Sequence, residues 1–243
     1  TWKPDEGMTK KQIEKELNRQ AVMFEESVNH GFKTSAMKFQ ELAEEWFENY
    51  AKNALRSTTY ERMLQLTQRV YPAIGHLRID KITARHLQGF VNSLAKEGAN
   101  EKTDKPLASK TIRHNLSFIS DVFSYAVRMD LVSDNPCRKV TIPKGEVKEK
   151  PIYSQEEIAQ LLTAINGEDT KYRAFFYLIA YSGFRRSEML GLEWKDIDFK
   201  NNIISIKRTS NYTSERGIYT DTTKTKRSKR VLKISPYIMG ILK

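Results

Sequence analysis

A chain of 243 residues that is 39% hydrophobic, with 11 Phe, 11 Tyr and 3 Trp, has enough apolar mass for two ordinary cores, which excludes global disorder. No run approaches the ~20 apolar residues of a membrane helix, nothing reads as a secretory signal, and Cys137 alone closes no internal disulfide, so the expectation is a soluble intracellular protein. Lys plus Arg outnumber Asp plus Glu by 41 to 30, and the excess lies in two blocks, +4 over residues 34–143 and +6 over 151–243, which suits a polyanion contacted over an extended surface. A lysine-rich surface kept only for solubility is the alternative that charge alone leaves open.

In chain order, Thr9-Lys10-Lys11-Gln12 reads as a capping box. Behind it Ile13, Leu17, Ala21, Phe24 and Val28 make a helical stripe that ends at Gly31. Such a leader, residues 1–33, fits a coupling helix to something upstream. Phe39, Leu42, Ala43, Trp46, Phe47, Tyr50 and Ala51 form the next helical face. A second helix is expected from Thr58, broken by Pro72 and Gly75, and a third from about Thr83 to Gly98. Asn100 to Lys105 reads as an exposed loop, and a long fourth helix opens near Ser109 and stops before Asn135-Pro136. Four helices within residues 34–143 make a small bundle.

Residues 144–150, Lys-Gly-Glu-Val-Lys-Glu-Lys before Pro151, have no apolar period and read as a basic interdomain linker. A second domain, 151–243, opens on the capping box Ser154-Gln155-Glu156-Glu157. Residues 171–182 are nearly all apolar or aromatic, which predicts a buried helix. From Ile203 the pattern turns to β: Ile203–Ile206, Gly217–Tyr219 and Val231–Ile234 predict three strands in an antiparallel meander. The fold class is therefore mainly α with a small antiparallel sheet, a helical domain followed by a mixed α/β one.

Two segments carry chemistry. In Ser182-Gly183-Phe184-Arg185-Arg186-Ser187-Glu188, Gly183 ends a helix, so Arg185 falls where the backbone turns, with Glu188 in reach. A guanidinium held by a carboxylate can offer two donors to one phosphate, although the same pair can also simply staple two helices. In Lys224-Thr225-Lys226-Arg227-Ser228-Lys229-Arg230, five positive charges fall in seven residues between two expected strands. A lysine on such a tip can enter a groove and donate a proton, or belong to a solvated basic surface. The four histidines are scattered, and no zinc spacing, glycine-rich phosphate loop, serine elbow or carboxylate cluster is present.

The order of these features resembles the tyrosine site-specific recombinases, most closely the integrases of conjugative transposons and related phages. Gly183 to Leu192 with Trp194 and Asp196-Ile197-Asp198 is similar to that family's first arginine box. Lys224-Thr225 with Ser228 and Arg230 entering Val231-Leu232 is similar to its lysine hairpin. Ile74-Gly75 to Ile82-Thr83, and Asn135-Pro136 to Ile142-Pro143-Lys144, are similar to its core-binding domain and the exit from it. The resemblance spans about residues 34–243.

That resemblance implies two domains clamped around duplex DNA and a tyrosine that attacks a DNA phosphate, leaving a 3′-phosphotyrosine and a free 5′-hydroxyl, with no metal or other cofactor. It implies that Arg185 stabilises the transition-state charge, Lys224 protonates the leaving oxygen and Glu188 supports the site. Further DNA contacts are expected from Ser109, Lys110, Thr111, Arg113 and His114, from Lys144, Lys148 and Lys150, and from Arg186, Lys226, Arg227, Ser228 and Arg230. Implied partners are double-stranded DNA, further copies of the chain as a dimer or tetramer, and an excisionase or DNA-bending protein as a candidate accessory factor. The implied place is the cytoplasm, with the nucleoid. The family's later parts, a His-x-x-Arg box and the nucleophilic tyrosine, are not among these residues. The expectation is therefore a catalytic domain cut short at Lys243 and inactive alone. The rivals are a resolvase or invertase of the same family and a non-catalytic DNA-binding regulator; the balanced leader favours the integrase.

Overall fold

The structure is a computed structural model that describes residues 8–29, 36–145, 151–223 and 228–243. Backbone contacts divide the chain into two compact units, Thr1–Glu146 and Val147–Lys243.

The first unit begins with α1 (Lys10–Asn29), whose start is held as its sequence requires: the Thr9 amide and hydroxyl both donate to Gln12 Oε1, at 2.9 and 2.8 Å. Leu17 on its apolar stripe remains half exposed, while the side chains of Phe24 and Val28 lie outside those described. α2 (Phe39–Trp46) runs through a widened turn, Phe47–Ala51, into α3 (Lys52–Ala54). Six of the seven residues read as its face are buried, with Tyr50 at the margin. α4 (Ser57–Val70) starts one residue before Thr58, with Arg56 as its cap residue, and gives way at Pro72 to a second wide turn, Tyr71–Gly75. α5 (Ala84–Leu94) and α6 (Ser109–Arg128) complete the bundle.

Its core is aromatic. Phe118 of α6 stacks on Phe47 at 5.6 Å and meets the edge of Trp46 at 5.9 Å, and Phe39 lies 5.6 Å from Phe123. Packing α6 against α2 in this way buries Ile112, Leu116, Ile119 and Val122 at helical spacing. Asn135 ties the segment after α6 back to that helix: its Nδ2 donates to the Ser120 carbonyl at 2.9 Å and to Ser124 Oγ at 3.0 Å, while its Oδ1 accepts the Cys137 amide at 3.0 Å. Cys137 is buried, and burial pushes its thiol up to about 12.

The second unit opens with α7 (Gln155–Asn166), capped reciprocally by Ser154 and Glu157. α8 (Thr170–Ser182) comes next, and Gly183 in a left-handed conformation, φ 64°, turns the chain into α9 (Arg186–Leu190). The expectation of a buried α8 does not hold. Only Tyr177 and Leu178 are enclosed, while Tyr172, Phe176 and Tyr181 are 44–60% exposed. Apolar residues all round a helix do not bury it when, among the described residues, only one side meets α7, α9 and α10 (Pro236–Leu242).

The strands also depart from a meander. β1 (Ile197–Asp198), β2 (Ile203–Ile206) and β5 (Arg230–Lys233) form one antiparallel sheet in the order β1-β2-β5. β3 (Arg208–Thr213) and β4 (Gly217–Thr222) form another. Ile206 pairs with Arg230 and Arg208 pairs with Thr222, so Lys207 alone stands opposite residues 223–229. The two sheets are one long hairpin interrupted at that point. β3, Arg-Thr-Ser-Asn-Tyr-Thr, escaped the sequence reading because it has no apolar alternation; backbone pairing with β4 holds it.

Candidate functional site

Gly183 creates the site's geometry. Its left-handed turn aims the chain so that Phe184, 5% exposed, plugs the core while the next residue, Arg185, points its side chain out. Arg185 is the cap residue of α9, and Glu188, three residues on, reaches back: Glu188 Oε2 accepts the Arg185 backbone amide at 3.0 Å and Oε1 accepts its guanidinium at 2.8 Å. The Arg185 side chain is nonetheless 67% exposed, whereas Glu188 is 2% exposed. The guanidinium is thus held at one edge and open at the others.

A second arginine joins from 42 residues away. Arg230, the first residue of β5, forks onto the same carboxylate, Nη1 to Oε1 at 3.1 Å and Nη2 to Oε2 at 2.9 Å. Its Nη2 also donates to the Gly183 carbonyl at 3.2 Å. Burial by itself would raise the Glu188 pKa; hydrogen bonds from Arg230 and from the Arg185 amide and guanidinium outweigh it and pull the carboxyl down to about 2. One carboxylate between two guanidiniums leaves a net positive site, and the exposed member is Arg185.

A parallel cluster pins the hairpin where it breaks. Asp196, 4% exposed, accepts the Arg208 guanidinium on both oxygens and Lys207 Nζ at 3.2 Å, and Arg208 also reaches Glu193 at 3.1 Å. The sequence reading missed this network. Its one signal was an aspartate set among Trp194, Ile197 and Phe199, where an acid is buried only with partners.

The structure therefore brings Arg185, Glu188 and Arg230 together. Arg186 is exposed beside them, and Ser228 is buried at 7% exposure two residues before Arg230. Lys224, Lys226 and Arg227 lie outside the described residues, as do Lys148 and Lys150 of the linker. Thr223 and Ser228, the described residues on either side of positions 224–227, are both buried.

In the first unit, Lys110 and Arg113 are exposed on the opening turns of α6, and Thr111 and His114 are half-buried. A groove of about 380 Å³ between α4 and α6 is lined by Thr58, Thr59, Arg62, His114 and Ser117 among others. Burial and then the charges of Arg62, Lys110 and Arg113 hold the His114 imidazole below its usual pKa. Ser109 is differently engaged: its hydroxyl donates to the Pro143 carbonyl at 2.7 Å. Lys144 is exposed. Among the described residues no group of His, Cys, Asp or Glu is placed to hold a metal, and no helix is long and apolar enough to cross a membrane.

Two family models match this chain: the phage integrase N-terminal SAM-like domain over residues 38–95 and the phage integrase family over residues 152–242. A XerC-like tyrosine recombinase of Caldanaerobacter subterraneus subsp. tengcongensis is 32% identical over 139 residues, 54% of this chain and 33% of that protein. The integrase of Staphylococcus phage L54a is 26% identical over 229 residues, 85% of this chain and 62% of that one. The chain thus spans between a third and about three fifths of the length of these relatives. In fold, the Tn1549 transposon integrase, solved in complex with transposon right end DNA, superposes with a TM-score of 0.71 at 20% identity, over 85% of this chain and 64% of that one. With one model on each unit, together covering more than half of the residues, the chain belongs to the phage integrase family of tyrosine recombinases.

Proposed function

We propose that this chain is the core-binding and leading catalytic portion of an integrase that cuts and rejoins the ends of a mobile element and target DNA. The observation that carries the reading is Arg185: a guanidinium anchored at one edge by a buried carboxylate and two-thirds open to solvent. Such a group is oriented before any phosphate arrives, so no rearrangement is needed as charge grows on the non-bridging oxygens.

In this reading a tyrosine oxygen, from a segment outside these 243 residues, attacks phosphorus, and the bond to the 5′-oxygen breaks. Lys224, two residues past the last paired residue of β4, protonates that oxygen. The phosphodiester energy is retained in the 3′-phosphotyrosine, so the 5′-hydroxyl of a partner strand can reverse the step without ATP. Glu188 and Arg230 act through Arg185, holding it. The domains are taken as residues 34–143 for core binding, 144–150 as a linker whose Lys144, Lys148 and Lys150 follow the phosphate backbone, and 151–243 for the catalytic part. Lys110, Thr111, Arg113 and His114 contact DNA from α6; Arg186, Lys226 and Arg227 do so near the cleaved phosphate. Copies of the protein assemble as dimers or tetramers on DNA at the nucleoid, with an excisionase or bending protein as an accessory.

The test uses the full-length recombinase on a nicked suicide duplex, in which the released strand diffuses away and the covalent adduct accumulates. Wild type is expected to give the adduct, and Arg185→Ala to reduce its rate by at least about 10²-fold while still binding DNA. No adduct from the wild type would leave a non-catalytic DNA-binding regulator as the better reading.

A further inference from the structure

The chain leaves the helical unit along residues 140–145, and three contacts hold that stretch at alternate positions. Gln88 of α5 lays its carboxamide against the backbone of Thr141: Nε2 donates to the Thr141 carbonyl and Oε1 accepts the Thr141 amide, each at 2.9 Å. This is the reciprocal pair that a neighbouring β-strand would offer. The carboxamide is itself oriented, because Nε2 also donates to Asn92 Oδ1, one turn further along α5, at 2.9 Å. At Pro143, which has no amide to pair, the Ser109 hydroxyl takes the carbonyl at 2.7 Å. At position 145 the chain passes so close to Ser109 that a Cβ would meet its Oγ at 2.7 Å and its Cβ at 3.2 Å, so a larger residue there must push the Ser109 hydroxyl aside from its place on the Pro143 carbonyl or shift the chain.

Positions 141, 143 and 145 share one side of an extended chain. The polar contacts made there are solvent-exposed, so core formation does not require them. Gln88 and Ser109 lie on different helices, and both spend their polar atoms on the same short stretch of backbone. Exposed side chains that hold exposed backbone serve to orient it.

We propose that Gln88, Ser109 and Gly145 form a latch that sets the direction in which the chain leaves the core-binding unit, making them positioning residues for the second unit on DNA. The proposal rests on the recombinase reading for its purpose but not for its existence. With the latch closed, eight residues separate Gly145 from Ser154, the cap of α7. With it open, the count runs from Thr141 and is thirteen. By the −3/2-power dependence of effective concentration on tether length, opening costs about twofold in the local concentration of the second unit once the first is docked. Direction is lost as well as concentration.

The experiment is a distance distribution between spin labels on Lys96→Cys and Glu168→Cys, both exposed and one in each unit, in the free chain. Cys137, buried with its thiol pushed up to about 12, stays unlabelled. Adding Gln88→Ala with Ser109→Ala, or Gly145→Val alone, is expected to broaden the distribution and to speed exchange of the Thr141 amide, with the thermal midpoints unchanged. Ser109→Thr, which keeps the hydroxyl, is expected to keep the wild-type width, and the double alanine variant to bind a duplex core site about twofold more weakly. Equal widths in wild type and both kinds of variant overturn the latch. If the wild type fails to bind any duplex, the recombinase reading falls, while the width measurement still decides the latch.

Discussion

Glu188 is the residue on which the arginine site depends. Its two oxygens accept one backbone amide and two guanidiniums, and it is enclosed at 2% exposure. Its folded pKa of about 2 lies below the ordinary 4.5, so at low pH the unfolded chain takes up a proton that the folded one refuses. The stabilisation is complete above pH 4.5 and fades as pH falls toward 2, by about 3 kcal/mol over that window. Glu188→Gln is expected to flatten this acid limb in urea unfolding measured across pH. At neutral pH it should destabilise the second unit by about 3 kcal/mol, because two arginines lose their shared anion. A variant that keeps the wild-type slope between pH 4.5 and 2 would show that the carboxylate is not held this way.

At the scale of elements, the second unit is built around one interrupted hairpin. Asp196 gathers Lys207 and Arg208 where β2 passes into β3, and the second strand re-enters opposite Ile206 at Arg230, which then reaches Glu188. The end of α9 must lie almost on β3 for this to close. A Cβ on Gly191 would stand 2.9 Å from the Ser210 amide nitrogen and from two backbone atoms of Thr209. Backbone atoms do not give way as a flexible side chain would, so Gly191→Ala is expected to destabilise by about 1–3 kcal/mol and to loosen the arginine site with the hairpin. Gly89 is the control: it lies inside α5 with open space where its Cβ would go, and Gly89→Ala should stabilise by about 0.5–1 kcal/mol. Chemical denaturation of the two variants checks both signs.

At the scale of the molecule, two cores are assembled independently, one from α2 to α6 and one from α7 to α10 with the strands. Each unit carries its own excess of positive charge, +4 over 34–143 and +6 over 151–243. If both engage phosphates, the logarithm of the duplex affinity should fall steeply and linearly with the logarithm of salt. Six contacts would correspond to about a thousandfold loss between 50 and 200 mM. A slope near zero in a fluorescence titration would argue against contact through both units.

Local signals were read well. The caps at Thr9 and Ser154, the buried face from Phe39 to Ala51 and the break at Pro72 each rest on residues a few positions apart, whereas the third helix, expected to run to Gly98, ends at Leu94. Side-chain period and turn chemistry act over that range. The arginine box was legible for the same reason, since Arg185 and Glu188 share one helical turn. What depended on distant partners was not legible. β3 has no apolar period and exists only because β4 pairs with it; α8 is apolar or aromatic without a break from Ala174 to Tyr181 yet open on one side because, among the described residues, nothing covers that face. Arg230, read as a DNA contact, spends its guanidinium on a carboxylate 42 residues away, and Ser109 gives its hydrogen to Pro143. Composition and spacing determined the two-domain plan, its helices and its chemistry-bearing segments, because short-range sterics and hydrophobic periodicity decide these. Which charges meet, and which remain free for a phosphate, the tertiary structure alone decided, because a buried carboxylate takes whichever cations the fold brings within reach.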